Sequence, residues 1–382
     1  MIERTIAVLG AGMIGKRIVD DLLRTFDGNI VVLSRHPGKS RRLFPGRRRS
    51  VPLVFRAGDA TRPTGLVKAL KGAAAVVNAV HHEHNEAVMG ACLRAGAHYV
   101  DLGGLYHYTL KQLAWRRRFE RARLTAVLGM GAAPGITNVL AACGASELTR
   151  VDAVEIRIGM VDRSSYRRAS PLSNSYSLQT LLEECSWPPA VFRNGKAAFL
   201  EPFSGRDPYR FPAPVGRQTP QYTIHSEVAT LPRTLRARDV FFKIAFDDGF
   251  VERIQALREA GLLDPENVSA AAGILSRLPP AIAAKIEQYE IIQVIVKGRR
   301  GSERRTARWE AHVPAAGETV DKDTAAPASI VAQGLARGEI TRAGVFPPES
   351  VIEPGAFFEE LGRRGIRIHK NGRRVLNLSD IP

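Results

Sequence analysis

The sequence predicts an α/β fold, with an N-terminal Rossmann domain on a doubly wound parallel sheet and a second, α+β domain on a mixed sheet. Before Val151, apolar runs of strand length alternate with helical patterns, as in βαβ units. After Val151, apolar runs pair as hairpins, which is typical of antiparallel strands. We expect domains at residues 1–148 and 149–318, and a C-terminal segment, 319–382, that packs back on the first domain.

The composition indicates a globular protein of a reducing compartment. Hydrophobic residues make up 45% of the 382 positions, enough for two cores. Apolar runs stay short of the roughly 18 residues that a membrane span needs, and the chain enters a strand pattern at once, which leaves no room for a signal peptide. Cys92, Cys143 and Cys185 are odd in number and widely spaced, so we expect a cytoplasmic protein without disulfides.

The charge is unevenly distributed. Of the net charge of +17, most lies in residues 1–125, where 22 Lys and Arg face 9 Asp and Glu. The runs Arg47–Arg49 and Arg116–Arg118 could contact nucleic-acid phosphates. However, no stacking aromatic residues are interleaved with them, as single-strand binders require. An anionic cofactor in an Arg-rich chain explains the charge better, and nucleic acid stays a minor alternative.

The first strand, Ile6–Leu9, leads into a glycine-rich turn and a helix. The turn reads Gly10-Ala11-Gly12-Met13-Ile14-Gly15. In a dinucleotide-binding turn the first glycine permits the tight bend, the second lets the backbone approach a pyrophosphate, and the third lets helix and strand pack closely. The helix start then offers N–H groups and its positive dipole end to the phosphates. We therefore predict a pyrophosphate site at Gly10, Gly12, Met13, Ile14 and Gly15.

The end of the second strand, Asn29–Leu33, predicts the cofactor. An acidic residue there binds the ribose of NAD, whereas small and basic residues accommodate the 2′-phosphate of NADP. This chain has Ser34-Arg35-His36, followed by further basic residues. Ser34 and Arg35 therefore favour NADP over NAD, a solvated basic loop being the alternative.

Polar residues follow the third and fourth strands, Val51–Arg56 and Ala73–Val80. Open α/β sheets bind ligands at the carboxyl ends of their strands, so Asp59 and Asn78 are candidate cofactor contacts. Asp59 either accepts a hydrogen bond from an adenine amino group or caps the next helix.

Five of the nine histidines lie between positions 81 and 107. Adjacent His81 and His82 are expected to diverge on an extended chain, whereas metal ligands must converge, so we predict no metal site. A histidine titrates near neutrality and can carry a proton, which makes His81, His82 and His107 acid/base candidates. Asp101, which ends the strand His98–Asp101, could stabilise positive charge on a reacting nitrogen.

A long basic helix is expected over Thr109–Arg123, before a strand at Thr125–Gly129. The second glycine-rich turn, Met130–Asn138, opens a helix that runs to about Ser146. It lies on the carboxyl edge of the sheet, where Gly131 and Pro134 could border the nicotinamide.

The second domain begins with a long strand, Val151–Val161. Ala190–Phe199 reads as a hairpin whose Asn-Gly suits a type I′ turn, and Glu290–Val313 reads as another. Between them, Tyr222–Arg233 lacks helical or strand periodicity. We expect a loop there that either contacts a ligand or decorates the surface.

The candidate substrate contacts are polar or aromatic. They are Tyr106 in the first domain and Tyr222, His225, Glu227 and Arg233 in the second. Arg233 or Arg163 could clamp a substrate carboxylate through two hydrogen bonds; the alternative is a solvated arginine.

Three stretches resemble the saccharopine dehydrogenase-like family, above all its short members, the lysine 6-dehydrogenase, carboxynorspermidine dehydrogenase and saccharopine reductase group. They are Val8 to Gly15, Ala97 to Gly104 (AHYVDLGG), and Gly131 to Ala141 (GAAPGITNVLA). Weaker echoes are Pro189–Lys196 and Ala326–Glu339. The resemblance covers nearly the whole chain and is densest before residue 145.

The resemblance implies a pyridine-nucleotide oxidoreductase that acts on a C–N bond of an amino acid or polyamine, by imine reduction or amine oxidation, as in lysine metabolism. It also implies a homodimer. It places the turn after the fourth strand and Gly131 to Pro134 beside the nicotinamide, with Asp101 near the reacting nitrogen. Val80-His81-His82 stands where members often have Leu-Pro or Ile-Pro, and Ser34-Arg35 where lysine 6-dehydrogenases have an acid, so lysine itself is not favoured. A non-catalytic NADP-binding sensor on the same fold remains the alternative.

Overall fold

The computed structural model describes residues 4–45, 51–170, 172, 177–279, 281–376 and 381. Its strands are β1 (Thr5–Leu9), β2 (Asn29–Ser34), β3 (Leu53–Ala57), β4 (Ala75–Asn78), β5 (His98–Asp101), β6 (Thr125–Val127), β7 (Arg150–Asp162), β8 (Ser165–Arg168), β9 (Ala190–Arg193), β10 (Lys196–Phe199), β11 (Tyr209–Arg210), β12 (Arg217–Gln218), β13 (Gln221–Tyr222), β14 (Asp239–Ile244), β15 (Ile282–Lys285), β16 (Glu287–Arg300), β17 (Glu303–Ala316), β18 (Gly344–Phe346), β19 (Arg367–Lys370) and β20 (Arg373–Arg374). Its helices are α1 (Met13–Thr25), α2 (Pro37–Arg42), α3 (Pro63–Leu70), α4 (Asn85–Ala95), α5 (Leu105–Leu113), α6 (Arg116–Ala122), α7 (Ile136–Ser146), α8 (Leu178–Ser186), α9 (Glu227–Thr234), α10 (Asp248–Glu259), α11 (Val268–Leu275), α12 (Lys322–Arg337) and α13 (Pro354–Arg363).

The chain forms two compact units, each made of two stretches of sequence. The first unit contains Met1–Asn138 and Asp321–Glu360, and the second contains Val139–Val320 and Leu361–Pro382. The segment expected to pack on the first domain is therefore divided. Its last part belongs to the second unit because β19 pairs with β17.

Seven of the described strands form a parallel sheet in the first unit. Their order is β18-β6-β5-β4-β1-β2-β3, with every pair parallel. Ala7 and Leu9 of β1 join a core with Leu66 of α3 and Val88 of α4. Helix α12 contacts α1 and three strands of this sheet. The Rossmann prediction is confirmed.

The second unit is built on a mixed sheet. Its order among the described strands is β10-β9-β14-β7-β16-β17-β19-β20, with β13 also on β14. Strands β14 and β7 are parallel, and the other pairs are antiparallel. Both predicted hairpins are confirmed, and Asn194 and Gly195 have φ of 50° and 78°, as a type I′ turn needs.

Helix α7 packs closely on this mixed sheet. A Cβ at Gly144 would lie 2.5 Å from Cγ2 of Val296, so glycine permits the close approach. A second apolar cluster joins α8, α10 and α11 through Leu181, Phe250 and Val268.

Two expectations about secondary structure are wrong. The single helix expected over Thr109–Arg123 is divided into α5 and α6 by a turn in which Ala114 N–H bonds to Lys111 C=O and Trp115 N–H to Gln112 C=O. The segment Tyr222–Arg233 ends strand β13 and then forms α9.

The basic runs differ in what the structure shows of them. Arg47–Arg49 lies outside the described residues. Arg116–Arg118 begins α6. Arg118 stacks on Trp115 at 4.3 Å and Arg116 on Phe346 at 5.4 Å. Aromatic rings therefore do lie beside this basic run, but they are in contact with its arginine side chains. Within the described residues, no helix combines the length and apolarity needed to cross a bilayer.

Candidate functional site

The turn between β1 and α1 has the geometry expected of a phosphate cradle. Gly10 has φ of +104°, and a Cβ there would lie 2.7 Å from Ala79 O, while a Cβ on Gly15 would lie 2.2 Å from Gly10 O. At Gly12, by contrast, a Cβ would meet no atom of the described chain within 4 Å. The fold therefore requires the outer two glycines, whereas Gly12 faces open space that a ligand can enter.

The start of α1 offers hydrogen-bond donors at this turn. Gly12 is the N-cap without a side-chain cap, and the first intrahelical bond runs from Lys16 N–H to Gly12 C=O at 2.9 Å. The N–H groups of the residues before Lys16 have no acceptor within the helix, which suits an anion. Met13 is 52% exposed and Ile14 is buried, so Met13 borders the open side of the turn. A dinucleotide pyrophosphate fits these residues.

Ser34 and Arg35 lie at the end of β2, the position that distinguishes the two nicotinamide cofactors. The hydroxyl groups of Ser34 and Ser40 are 2.7 Å apart, and Arg35 is exposed. Asp59 follows β3 and accepts hydrogen bonds from Thr61 N–H (3.0 Å) and Thr61 Oγ1–H (2.8 Å). These bonds hold the pKa of Asp59 below its ordinary value, with smaller contributions from the charges of Arg62 and then Arg35.

The helix-capping alternative for Asp59 is wrong. Helix α3 begins at Pro63 with Arg62 at its N-cap position and no side-chain cap. Asp59 instead closes the turn that precedes the helix, through its bonds to Thr61.

A ring of buried polar side chains lies beneath the carboxyl ends of β4 and β5, where Asn78 and Asp101 are neighbours in register. We call it the polar ring. Its members, each at most 1% exposed, are Asn78, Asn85, Tyr99, Asp101 and Gln112. Asn78 Nδ2 donates to Asn85 Oδ1 (2.8 Å) and to Tyr99 Oη (3.2 Å), and Asn85 Nδ2 donates to Gln112 Oε1 (3.1 Å).

Asp101 closes the polar ring with both carboxylate oxygens. Oδ2 accepts from Tyr99 Oη–H (2.8 Å) and Gln112 Nε2 (2.6 Å). Oδ1 accepts from Gly129 N–H (2.7 Å) and Gly103 N–H (3.0 Å). Burial raises the pKa of Asp101 above its ordinary value, and the four donated hydrogen bonds oppose that rise. The arrangement favours a positioning role over the predicted contact with a reacting nitrogen, because donors of the chain occupy both oxygens.

Sequence reasoning missed three members of the polar ring: Asn85, Tyr99 and Gln112. Tyr99 precedes Asp101 by two residues and therefore shares its face of β5, which was a usable signal. Asn85 and Gln112 come from α4 and α5, and only the packed fold brings them to the strand ends. Asn78 Oδ1 is buried and has no hydrogen-bond partner among the described residues, so this amide keeps an acceptor for a ligand donor.

Asp101 also attaches the second glycine-rich turn to β5. Besides the bond from Gly129, Met130 N–H donates to Asp101 C=O at 2.7 Å. Gly131 N–H donates to Pro134 C=O at 2.7 Å, and a Cβ on Gly131 would lie 3.4 Å from Cγ2 of Thr324 in the residues that begin α12. Gly131 and Pro134 thus lie in a compact, buried turn at the carboxyl edge of the sheet.

The argument that His81 and His82 diverge is wrong. Their ring centroids are 4.0 Å apart at 36°, because the chain turns into a 3₁₀ helix at His82. His82 is buried and lies 4.8 Å from the Tyr108 ring, whereas His81 is partly exposed. The two imidazoles therefore form a pair just beyond the end of β4.

His107 and Tyr106 lie in the first turn of α5, with ring centroids 5.3 Å apart. His107 is exposed. Although the residue is exposed, its ring loses part of its hydration against the protein, and this loss, followed by the positive charge of Lys111, lowers the pKa of His107. The imidazole is therefore largely neutral near pH 7 and can accept a proton.

In the second unit, Tyr222 is buried on β13. Its hydroxyl oxygen accepts from Arg193 Nη2 at 2.9 Å, and Lys243 Nζ lies 4.6 Å from its ring centroid. Lys243 itself donates to Gly205 C=O and to Asp207. These contacts tie Tyr222 into the scaffold. Arg233 and Arg163 are both exposed, as expected of solvated arginines.

His225 and Glu227 lie at the start of α9, and both are buried, so the surface-decoration alternative is wrong. The His225 ring stacks on Phe242 with centroids 3.6 Å apart. Its Nδ1 is 3.9 Å from Glu227 Oε2, and its Nε2 is 4.0 Å from Glu184 Oε2 on α8. Glu184 is a further residue that sequence reasoning missed.

A parallel sheet in this strand order, with a glycine turn after β1 that is open at Gly12, defines the dinucleotide-binding class of α/β proteins. Family models match almost the whole chain. Residues 6–127 match the saccharopine dehydrogenase NADP binding domain, and residues 131–366 match the saccharopine dehydrogenase C-terminal domain. The chain belongs to the saccharopine dehydrogenase family and is an NAD(P)-dependent oxidoreductase. The predicted resemblance is confirmed.

Characterised relatives are similar along their whole length. Carboxynorspermidine synthase of Vibrio alginolyticus is 23% identical, over 94% of this chain and 95% of that protein. Carboxyaminopropylagmatine dehydrogenase of Synechocystis sp. is 22% identical, over 96% of this chain and 97% of that protein. Apo saccharopine dehydrogenase (L-Glu forming) from Saccharomyces cerevisiae shares the fold with a TM-score of 0.71 at 15% identity, covering 98% of this chain and 100% of that one. Homospermidine synthase from Legionella pneumophila, solved with NAD, has a TM-score of 0.69 at 12% identity, covering 97% and 92%.

Proposed function

We propose that the protein is an NADP-dependent oxidoreductase that makes or breaks a C–N bond of an amino acid or polyamine. The observation that carries the proposal is the cradle at Gly10, Gly12 and Gly15, which leaves room for a ligand only at Gly12. The names of the characterised relatives support an amine substrate. In the reductive direction, a hydride adds to an imine carbon and a proton to its nitrogen, giving a secondary amine; the reverse oxidises the amine.

The chain's residues divide these tasks. Reduced nicotinamide supplies the hydride when bound, so the protein must orient that ring and manage one proton. Asp101 holds the turns at Gly103 and Gly129 in place, and Asn78 Oδ1 offers an acceptor to the ligand. We assign the proton to a histidine at the edge of the first unit: His81, His82 or His107.

The choice of NADP rests on the end of β2. A carboxylate is missing there, and exposed Arg35 can pair with a 2′-phosphate. The Legionella homospermidine synthase was solved with NAD, so the two cofactors need a direct comparison. Arg35→Glu should weaken NADPH binding at least tenfold and leave NADH binding unchanged, measured by nucleotide fluorescence. Arg41→Glu, where the guanidinium stacks on Phe55 at 5.6 Å, is the matched control. Equal loss of both nucleotides in Arg35→Glu would remove the NADP assignment.

The reaction class is tested by absorbance at 340 nm. Purified protein with NADPH is offered pairs of a primary amine and an aldehyde-bearing amino acid, and protein with NADP⁺ is offered secondary amines. We expect amine-dependent consumption or formation of NADPH. Tight NADPH binding without turnover of any pair would instead favour a non-catalytic sensor. We further propose a homodimer, which sedimentation of the full chain tests.

A further inference from the structure

We infer that the amino edge of the parallel sheet, where exposed cations stand in a row, binds the phosphate backbone of duplex nucleic acid. Parallel strands all begin at one edge of their sheet and end at the other. The Gly12 turn follows the end of β1, so a cofactor in that turn lies at the carboxyl edge. At the opposite edge, β18, β6, β5, β4 and β1 begin side by side, and the cofactor does not explain the charge there.

Each of these five strands has an exposed cation no more than four residues before its start. The cations are Arg342 before β18, Arg123 before β6, Arg94 before β5, Lys71 before β4 and Arg4 before β1. We call this surface the basic edge. Neighbouring strands are about 4.8 Å apart, so the five cations extend over roughly 19 Å, the length of between five and six base pairs at about 3.4 Å each.

Carboxylates do not neutralise the basic edge. In the described part of the chain, none of its five cations forms an ion pair. Asp27 and Glu120 lie close to this edge but pair with other arginines, Arg337 at 3.8 Å and Arg116 at 2.7 Å. Glu339 is exposed in the loop before β18, and the five cations outweigh its single charge. A row of uncompensated positive charge attracts a polyanion.

A cavity of about 160 Å³ opens at the basic edge, beside the C-terminal end of α3. Its polar lining includes Thr5, Arg56 and Lys71. Gly72 also borders it, and a Cβ there would meet no described atom within 4 Å. Arg56 donates to Ala69 C=O at 3.5 Å and forms no ion pair with a described residue. The cavity therefore offers N–H and O–H donors to the oxygens of a phosphate group.

The side chains at the basic edge favour a phosphate backbone over a protein partner. Protein interfaces have a buried apolar core, but the large apolar side chains that the described first unit exposes, Met13, Leu43 and Val54, lie outside the basic edge. Single-strand binders stack bases on free rings, and the nearby Trp115 ring is covered by Arg118 at 4.3 Å. Contacts to the backbone of a duplex need only cations and other donors.

Fluorescence anisotropy of the full chain with a short labelled DNA duplex tests the basic edge. Five phosphate contacts predict that the logarithm of the association constant falls with the logarithm of the salt concentration with a slope of about −4.5. Lys71→Glu together with Arg123→Glu should weaken binding at least tenfold and reduce the size of that slope by about 2. Arg277→Glu together with Arg304→Glu changes the net charge equally at two exposed positions of the second unit, and it should leave binding unchanged.

Folding and alternative partners are controlled separately. Lys71→Gln together with Arg94→Gln is the second variant if a thermal melt shows that the first does not fold. Saturating NADPH should not displace the duplex, because the Gly12 turn lies at the other edge of the sheet. Absence of binding at low salt, equal weakening in the two double variants, or displacement by NADPH would each overturn the inference. Equally tight binding of poly-glutamate of the same total charge would assign the surface to acidic proteins and would overturn it as well.

Discussion

Single residues of the polar ring show why a carboxylate at a strand end need not touch the substrate. Asp101 accepts four hydrogen bonds, two of them from the backbone of Gly103 and Gly129. A buried carboxylate is tolerated when donors compensate for its lost hydration. The consequence is that two turns at the ligand edge share one anchor, so a change at Asp101 should move both.

Tyr99→Phe tests the polar ring at one atom. It removes the donor to Asp101 Oδ2 and the acceptor of the Asn78 amide. Because a buried partner is then left unsatisfied, the free energy of unfolding should fall by about 1–3 kcal/mol, measured by urea denaturation. Tyr106→Phe, a half-buried tyrosine outside the ring, is the control. An equal loss in both variants would contradict the ring's role.

The pKa of Asp101 predicts a pH dependence of stability. Because burial raises this pKa above the ordinary value of 3.8, the native state holds the proton more tightly than the unfolded chain. The contribution of the protonated Asp101 carboxyl to the free energy of unfolding is therefore complete below about pH 3.8, and it is lost as the pH rises through the native pKa. The difference in free energy of unfolding between the native chain and Asp101→Asn should fall across this window and then become constant. A difference that is flat with pH would contradict the raised pKa.

Gly12→Asp separates ligand binding from folding. Gly12 has φ of −70°, which any residue adopts, and a Cβ there meets no described atom within 4 Å. The thermal melt should therefore be unchanged, while a carboxylate at the phosphate site abolishes NADPH binding in a fluorescence titration. Gly65→Asp, also at an open position, should bind NADPH normally. Undiminished binding in Gly12→Asp would remove the cofactor site from this turn.

Among the elements, the turn of the β9–β10 hairpin and helix α11 each contain a glycine, and replacing each by alanine should have opposite effects on stability. Gly195 has φ of +78° with no described atom near a Cβ, and Gly273 in α11 is open without a positive φ. Gly195→Ala should destabilise the protein by about 1 kcal/mol through strain alone, and Gly273→Ala should stabilise it by about 0.4–1 kcal/mol. Urea denaturation measures both. The same sign for both substitutions would contradict the assigned turn.

The elements that could be predicted from the sequence are those specified by local chemistry. Neighbouring residues are enough to predict the buried strands that alternate with helices, the glycine turn and the Asn-Gly hairpin. They also predict that Asn78 and Asp101 lie at strand ends. The break between α5 and α6 does not, because Trp115 Nε1 donates to Glu86 Oε1 on α4 and Gln112 enters the polar ring. Likewise, Tyr222–Arg233 looks polar in sequence, yet tertiary packing buries residues 222–232 and leaves only Arg233 exposed. In both segments, contacts between residues that are distant in sequence determine the structure, and a local sequence pattern does not reveal them.

In the whole molecule, the last residues of the chain complete the second unit rather than the first. Strand β19 adds to the edge strand β17, opposite Trp309 to His312, and buries Ile366 and Ile368. An uncovered edge strand would also be a site for aggregation. Removal of residues 364–382 should therefore destabilise the second unit by several kcal/mol, at roughly 1.5–3 kcal/mol for each buried isoleucine.

Hydrogen exchange resolves that effect by unit. The truncated chain should lose amide protection in β16 and β17, while β1 and β4, which belong to the other unit, keep theirs and NADPH still binds. The shorter truncation of residues 375–382 leaves β19 and β20 intact and is the control. If the longer truncation lowered protection in β1 and β4 as much as in β17, the tail would stabilise the molecule as a single cooperative block, and its assignment to the second unit would fail.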